Sequence, residues 1–478
     1  MAVFRTNDAT QFDDIDGIII DEQTPASQIA GVAANVGILV GQFQRGPAEL
    51  SLPLASIGEF QEVYGKSSYS GNKQLRNKAF GALRIIRVIP TGAAKATLTT
   101  SAVIKVDAKH EGDYGNNITV QYAAGDVAST FNLTVIDTNP DAVLPIEVYS
   151  NVDIANVGNT FAGSRLVDVT ILDTASGLPT FGLAANLAGG AEGTLADTDY
   201  ETAIQRAEVS GAGNVLFIDE SNGVRNGYLE THASLNQDKM VIIAGAENDD
   251  RAAVIADAAN FRDVDGRVIY AWPYVQTTIN GVQEFTNPSA WVASVFTQVA
   301  PQIALSYIAN SRFLAGITGL KFETGRQGHV ALDAAGVLAI ENDPDVGMVI
   351  KNAVTTQILN SQKKEILRRR MADFLQDSIA RGLKNFQNDV NSKERRTDAK
   401  AMIQDFDTRL TLAGILPGEQ DVKSGKPVLI DTESLNTDAT IATGLFKIGY
   451  KRRIFSSMRY IVLQAEIGTN VVVTEAEG

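Results

Sequence analysis

The chain has 478 residues, enough for about three domains that each bury a core. Hydrophobic residues make up 44% and charged residues 20%, as in ordinary globular proteins, and the absence of cysteine excludes disulfides, thiolate zinc sites and cysteine nucleophiles. The net charge of −15 argues against a nucleic-acid coat, because phosphate binding requires surplus Lys and Arg, and no apolar run approaches the roughly 18 residues of a membrane span.

Residues 1–30 are polar and acidic, and Arg5 is their one basic residue. This composition is typical of a solvated, disordered tail. A run of three isoleucines instead favours an arm that becomes ordered on binding, so both interpretations stay open at this point. The candidate inter-subunit arm residues are Asp13, Asp14, Asp16, Ile18, Ile19 and Ile20.

The next part of the chain, 31–94, has a globular pattern. A buried strand is predicted over 36–40, followed by a turn-rich exit. Ser56 is a suitable N-cap for a helix over 58–64 that ends at Gly65. A second helix is predicted over 73–83 and a strand over 84–89, which Pro90 ends.

Residues 95–190 are rich in Thr, Val, Asn and Gly, with short alternating runs at 118–122, 131–136 and 166–171. Turn residues separate these runs, which predicts a small all-β domain. A glycine-rich segment at 189–193 is a candidate return linker.

Residues 191–345 alternate between strand and helix patterns. Strands are predicted over 215–219, 239–244 and 267–272, with helices over 200–208, 225–236 and 251–261. A further helix is expected to begin with Asn287 as N-cap and Pro288 in its first turn. Continuous apolar strands in alternation with helices predict an α/β layer with buried parallel pairing.

The longest predicted helix covers 362–386, after a strand at 347–351 and before a helix over 398–412. Its basic surplus has two interpretations: a solvated outer face, or a basic patch that meets an acidic partner surface. The basic residues concerned are Lys363, Lys364, Arg368, Arg369, Arg370, Arg381 and Lys384.

The end of the chain, 447–473, combines β-forming residues with the basic residues Lys451, Arg452, Arg453 and Arg459. A strand pattern over 454–467 ends at a turn signal, 468–470, and Val471, Val472 and Val473 follow. A terminal strand needs a partner edge. The acidic beginning and basic end therefore suggest exchanged strands in a head-to-tail polymer.

Motifs for catalysis are absent from the sequence. The three histidines are far apart, and there is neither a P-loop nor a G-x-S-x-G motif. We therefore identify no catalytic, cofactor-binding or metal-binding residue, and expect a protein that is not an enzyme.

Five stretches, in order, resemble contractile tail sheath proteins of myoviruses and R-type tailocins. They are VGILVG at 36–41 with RGP at 45–47, SIGEFQEVYG at 56–65, RIIRV at 84–88, GDYGNN at 112–117 and LAGGAEG at 187–193. The resemblance implies an α/β (mixed α+β overall) fold. It consists of an α/β sheath core, an inserted small all-β domain, and N- and C-terminal arms that add strands to neighbouring subunits.

The resemblance also implies a domain division. An N-terminal arm covers 1–30, the first part of the sheath core covers 31–94, and an inserted β-rich outer domain covers 95–190. An α/β domain follows over 191–345. A C-terminal inner domain, which contains the basic tube-facing helix, covers 346–460, and a C-terminal strand and arm cover 461–478.

By the same resemblance, the protein polymerises helically, as stacked hexameric rings, around a tail tube, and its contraction drives the tube through the host cell envelope. The implied partners are the tail tube, baseplate and tail terminator proteins, with no cofactor and no nucleic acid. The resemblance also implies that the basic helix contacts an acidic tube, with the tube-contact candidates Lys363, Lys364, Arg368, Arg369, Arg370, Arg381 and Lys384. The implied location is the virion, after assembly in the host cytoplasm. The alternative is a subunit of another helical or lattice assembly, of capsid or surface-layer type.

Overall fold

The computed structural model describes residues 2–6, 17–21 and 28–459, apart from short gaps at 55, 67–68, 101–102, 141, 144–145, 174–176, 183, 210, 212 and 280. Two N-terminal strands, β1 (Ala2–Thr6) and β2 (Gly17–Asp21), pair in parallel with each other. Outside the described residues lie the predicted arm residues Asp13, Asp14, Asp16, Val471, Val472 and Val473.

The first globular segment contains four elements: β3 (Val36–Gly41), α1 (Ile57–Tyr64), α2 (Ser70–Leu75) and β4 (Ala82–Arg87). The predicted N-cap is present, because Oγ of Ser56 accepts a hydrogen bond from the backbone N–H of Glu59 at 3.2 Å.

The helix predicted over 73–83 is wrong beyond Leu75. Asn77 has a φ of 60°, which ends a right-handed helix. Three residues before β4, the carbonyl of Ala79 accepts hydrogen bonds from Ser294 and Gln298 of a distant helix. Tertiary contacts therefore override the local helix pattern here.

A separate β unit follows. Its elements are β5 (Thr97–Thr100), β6 (Ile104–Ala108), β7 (Ile118–Ala124), β8 (Thr130–Asp137), β9 (Ile146–Asp153), α3 (Val157–Phe161), β10 (Val167–Ile171) and β11 (Ala184–Asn186). They form sheets in the orders β10-β6-β5 and β11-β7-β8-β9 around one hydrophobic cluster. Buried and half-buried residues alternate along β8, as expected for a strand with one covered face.

The β unit is inserted into the rest of the chain. The chain enters and leaves it side by side, through antiparallel bridges that pair Thr91 with Thr194 and Ala94 with Ala191. A buried ion pair between Arg45 and Asp137, 3.1 Å long, joins the unit to the first globular segment.

Residues 197–350 alternate between helices and strands. The elements are α4 (Asp197–Gln205), β12 (Val215–Ile218), α5 (Gly223–Asn236), β13 (Met240–Ala244), α6 (Arg251–Ala258), β14 (Val268–Trp272), β15 (Val275–Ile279), β16 (Val282–Thr286), α7 (Ser289–Gln298), β17 (Gly319–Leu320), α8 (Arg326–Ala335), β18 (Val337–Asp343) and β19 (Gly347–Ile350).

One seven-stranded sheet organises these elements, in the order β19-β18-β14-β13-β12-β3-β4. All neighbours are parallel except β19, which is antiparallel to β18. The apolar strands β12, β13 and β14 are buried along their whole length, because helix α7 covers one face and α4, α5, α6 and α8 cover the other. The predicted α/β layer with parallel pairing is thereby confirmed.

The C-terminal unit, 361–459, contains α9 (Ser361–Lys364), α10 (Ile366–Leu383), α11 (Lys393–Leu412), β20 (Val428–Asp431), α12 (Asp438–Ala442) and β21 (Gly449–Arg452). The helix predicted over 362–386 is interrupted at Glu365, which is extended and forms a β-bridge with Val354. The strand predicted from residue 454 is wrong as far as residue 459, because 453–459 has no regular structure. Short 3₁₀ helices occur at Asp113–Asn117, Ile154–Asn156, Arg206–Glu208, Ala259–Phe261, Ile308–Leu314, Lys384–Phe386 and Glu419–Asp421.

Candidate functional site

The C-terminal unit contains a sheet of two strands, β20 and β21. They are antiparallel, with Val428 opposite Arg452 and Asp431 opposite Gly449. A sheet of two strands is marginal by itself in water. In the described part of the chain no third strand joins it, so both of its edges carry backbone groups that could pair with an added strand.

Buried polar groups anchor this sheet on helix α11. Nε of Arg452 lies 2.7 Å from Oδ1 of Asp407, and the two side chains are 3% and 6% exposed. The Tyr450 hydroxyl donates to the same oxygen at 2.9 Å, and burial raises the pKa of that phenol. The guanidinium of Arg452 also donates hydrogen bonds to the carbonyl of Pro417 and to Oγ1 of Thr411, at 2.8 and 2.6 Å. Arg452, predicted from the sequence as part of a basic end, is therefore an internal anchor.

The segment that leads from the N-terminal strands begins on the same unit. Ile29 is buried in the hydrophobic cluster of α10 and α11, and its carbonyl accepts a hydrogen bond from Arg409 at 2.9 Å. Three residues later, the N–H of Val32 donates to Oγ of Ser378 at 3.1 Å. The predicted arm residues Ile18, Ile19 and Ile20 lie upstream in β2. Ile29 thus fixes this segment in the same hydrophobic cluster as Ile430 of the two-stranded sheet.

The C-terminal segment runs from β21 back across the basic helix. Arg453 donates from its backbone to the carbonyl of Pro427 at 3.0 Å, Arg368 hydrogen-bonds Ser456, and Arg459 forms an ion pair with Asp333 on α8. These contacts hold the described part of the C-terminal segment, as far as residue 459, on the core.

The basic residues of the predicted long helix mostly have partners within the chain. Lys363 pairs with Asp265 at 2.6 Å and Lys364 with Asp333 at 2.9 Å. Arg368 pairs with Glu365 and Arg369 with Asp373, both on the same helical segment. These four charges are therefore largely balanced within the monomer.

Asp373 also joins the C-terminal unit to the core. It accepts two hydrogen bonds, each 3.0 Å long, from the buried guanidinium of Arg267, the residue before β14. A bidentate pair of this kind fixes orientation as well as distance.

Arg370 makes a second junction with the core. Its guanidinium donates to the carbonyls of Phe296 and Val299 at the end of α7, at 2.8 and 2.6 Å, and burial lowers its pKa to about 9. Arg381 and Lys384 are instead exposed near the other end of α10. Of the seven predicted tube-contact residues, these two have the charges that are most accessible to a partner protein.

We compared the chain with known proteins. No protein-family model and no curated protein sequence matches it. A sheath tail protein from Listeria innocua superimposes with a TM-score of 0.64 and 14% identity, over 86% of this chain and 90% of that one. A sheath tail protein from Desulfitobacterium hafniense gives a TM-score of 0.61 and 16% identity, over 87% and 94%. The helical sheath of the anti-feeding prophage in its contracted state gives 0.58 and 14%, over 95% and 99%.

The chain has the fold of contractile sheath proteins. The fold that the sequence motifs implied is thereby confirmed. Within this sheath fold, the residues described form no cluster of three or more side chains suited to hold a metal ion. Of the helices in the described ranges, none is both long and apolar enough to cross a bilayer.

Sequence reasoning missed three acidic residues that hold the C-terminal unit together or join it to the core of this chain, Asp333, Asp373 and Asp407. One signal for Asp407 was present, since it follows Phe406 and Ile403 on the apolar side of α11, where a carboxylate requires a buried cationic partner. For Asp333 the sequence carries no such signal, because its partners Lys364 and Arg459 meet it only through the fold.

Proposed function

We propose that this protein is the structural subunit of a contractile tail sheath, which polymerises helically around a tail tube and contracts to drive the tube through the host cell envelope. The observation that carries the proposal is the fold match to the contracted anti-feeding prophage sheath, which extends over 95% of this chain and 99% of that one. The role is mechanical rather than catalytic.

Strand exchange holds neighbouring subunits together in this proposal. The two-stranded sheet β20–β21 has unpaired edges within the described residues, and the N-terminal segment is fixed at Ile29 in the same hydrophobic cluster as Ile430 of that sheet. Strands from the N-terminal arm, with Ile18–Ile20 in β2, and from the C-terminal arm, with Val471–Val473, add to this sheet in neighbouring subunits. Main-chain hydrogen bonds of this type supply affinity without side-chain specificity.

Contact with an acidic tail tube is the second part of the proposal. Arg381 and Lys384 are its first candidates because both are exposed. Lys363, Lys364, Arg368 and Arg369 follow, since an acidic tube surface would compete with their present carboxylate partners. Arg370 takes part only after a rearrangement, because it is buried against α7.

The wider assembly follows from the same proposal. Stacked hexameric rings extend between a baseplate and a tail terminator, in a virion or a tailocin particle that is assembled in the host cytoplasm. Residues 95–190 form the outer domain, 31–94 and 191–345 the sheath core, and 346–460 the inner domain. Contraction is a rigid-body repacking of subunits, which the exchanged arms keep linked. Because the energy is stored at assembly, the mechanism requires no nucleotide.

Negative-stain electron microscopy of the purified protein tests this function. We expect hollow, helically striated tubes, which become longer when the cognate tube protein is present. Flat sheets or closed shells would support a lattice or capsid subunit instead. Particles that stay monomeric at high concentration and low salt would contradict polymerisation altogether.

A further inference from the structure

A small apolar pocket next to the edge strand β4 contains one buried amine. The pocket has a volume of about 300 Å³ and lies between helix α1, the end of α2 and the start of β4. Among the described lining residues, Lys78 is the only charged one. The other lining residues are apolar or uncharged. The apolar walls are Leu54, Ile57, Phe60, Leu75, Phe80 and Leu83.

Lys78 is 8% exposed and has no carboxylate within ion-pair distance among the residues described. Its Nζ makes one long hydrogen bond, 3.4 Å, to the carbonyl of Arg76, and lies 4.4 Å from the ring centre of Trp291. Burial lowers the pKa of this amine to about 7. A lysine in such a position is unfavourable for the isolated chain, because it loses hydration without gaining a counter-charge.

The backbone around Lys78 is fixed by contacts with the core. Asn77 donates from its side chain to the carbonyl of Thr278 at 2.7 Å, and the carbonyl of Ala79 accepts hydrogen bonds from Ser294 and Gln298, at 2.6 and 2.9 Å. These contacts hold the backbone on both sides of Lys78 in place beside the pocket.

We propose that this pocket binds a carboxylate side chain of a second copy of the chain, with Lys78 as the ion-pairing residue and the apolar walls receiving the hydrophobic residue beside that carboxylate. The inference rests on the proposed function, because it assigns one contact within the polymer.

Two observations favour a second copy as the occupant. The chain contains 56 acidic residues against 41 Lys and Arg, so another copy offers carboxylates in excess. The apolar wall of the pocket also reaches the protein surface at Ile57, which is 46% exposed, and Leu52, two residues before the lining residue Leu54, is 79% exposed. A protein partner can cover the apolar rim and pair with the buried charge in the same contact, which a small ligand cannot do.

The first test is amine labelling of the wild-type protein, as monomer and as polymer. Reductive methylation with formaldehyde and cyanoborohydride is followed at Lys78 by peptide mass spectrometry. We expect labelling to be at least about tenfold slower in the polymer, because the pocket is covered and the amine is ion-paired. Equal labelling rates in the two states would overturn the proposal. The labelling of the monomer is also measured with octanoate present. If octanoate slows labelling of Lys78 in the monomer and polymerisation slows it no further, the occupant is a small carboxylate and the proposal is overturned.

The second test compares Lys78→Met with Lys66→Met, which alters an exposed lysine of the same segment. Lys78→Met should raise the melting temperature of the monomer and raise the critical concentration for polymerisation at least about tenfold. Lys66→Met should change neither. Normal polymerisation of Lys78→Met would overturn the inference while leaving the sheath function intact. If the wild-type protein itself forms no polymer, the sheath function is what fails.

Discussion

Arg452, at the end of β21, places its Nε 2.7 Å from Oδ1 of Asp407 on helix α11. Both side chains are almost completely buried, so each charge depends on the other for its stability. The pair holds the two-stranded sheet of the C-terminal unit on its supporting helix. In the proposed polymer this is the sheet to which neighbouring subunits add strands.

The first prediction concerns this anchor. Asp407→Ala should lower the free energy of unfolding of the C-terminal unit by about 3 kcal/mol, because Arg452 is left buried without a counter-charge. Hydrogen exchange of residues 428–452, followed by mass spectrometry, measures the effect locally.

Asp398→Ala is the control for the anchor, because its partner Arg395 and Asp398 itself are about half exposed, at 51% and 50%. We expect it to change the unfolding free energy by less than about 1 kcal/mol. Unchanged hydrogen exchange in Asp407→Ala would show that the ion pair does not anchor the sheet.

The second prediction concerns the arms. Deletion of residues 1–22, or of all residues from 469 onward, should leave a folded monomer that no longer polymerises. The fold should survive because the buried residues of the four hydrophobic clusters all lie between Ile29 and Ile430. Circular dichroism checks the fold and electron microscopy the polymer. A variant that lacks only 474–478 keeps Val471, Val472 and Val473 and should polymerise normally. Polymers of unchanged length from either arm deletion would refute strand exchange.

The third prediction concerns the tail tube. Arg381→Glu combined with Lys384→Glu should weaken tube-templated assembly and leave tube-free polymerisation unchanged, because both side chains are exposed. The effect should decrease as the salt concentration rises, since exposed charges are screened. Co-sedimentation of the sheath with tubes measures it.

Two further double variants separate tube contact from stability. Arg368→Glu with Arg369→Glu should also weaken tube attachment, but it breaks the pairs with Glu365 and Asp373 and should therefore lower the monomer's melting temperature as well. Lys423→Glu with Lys426→Glu makes the same charge change on an exposed loop and should have no effect on tube attachment. Unimpaired tube-templated assembly of the Arg381 and Lys384 variant would exclude these residues as the contact.

The fourth prediction is a pH dependence that arises from Lys78. Its pKa is lowered from 10.5 to about 7 by burial, so between these values the unfolded chain binds more protons than the folded one. The free energy of unfolding therefore rises with pH from about 7 upward, by at most about 1.4 kcal/mol per pH unit.

The pH effect is best measured as the difference between the wild-type protein and Lys78→Met. The range should be about pH 7 to 9, since Arg370, whose pKa is lowered to about 9, contributes with the same sign at higher pH. Urea unfolding at each pH provides the free energies. Parallel curves for the two proteins would show that the Lys78 amine does not titrate in this range.

Elements that depend on continuous local pattern could be predicted from the sequence. The buried strands β12, β13 and β14 are uninterrupted apolar runs, and Ser56 caps α1 as its position before the helix indicated. The hairpin β15–β16 was missed although Asn280-Gly281, a frequent hairpin turn sequence, lies between its strands.

Features that depend on distant partners could not be predicted. The break at Glu365 arises because its backbone pairs with Val354, a contact that the helical pattern of 362–386 does not reveal. The same holds for the basic residues of that helix. Composition gives their surplus charge, but Asp265 and Asp333 reach Lys363 and Lys364 only in the folded chain.

The most direct test of strand exchange is a cryo-electron microscopy reconstruction of the polymer formed by the purified protein. We predict that the sheet of β20 and β21 is extended in every subunit by strands from the N- and C-terminal arms of its neighbours. A helical polymer in which this sheet stays two-stranded, with subunits joined only through side-chain contacts, would contradict the account.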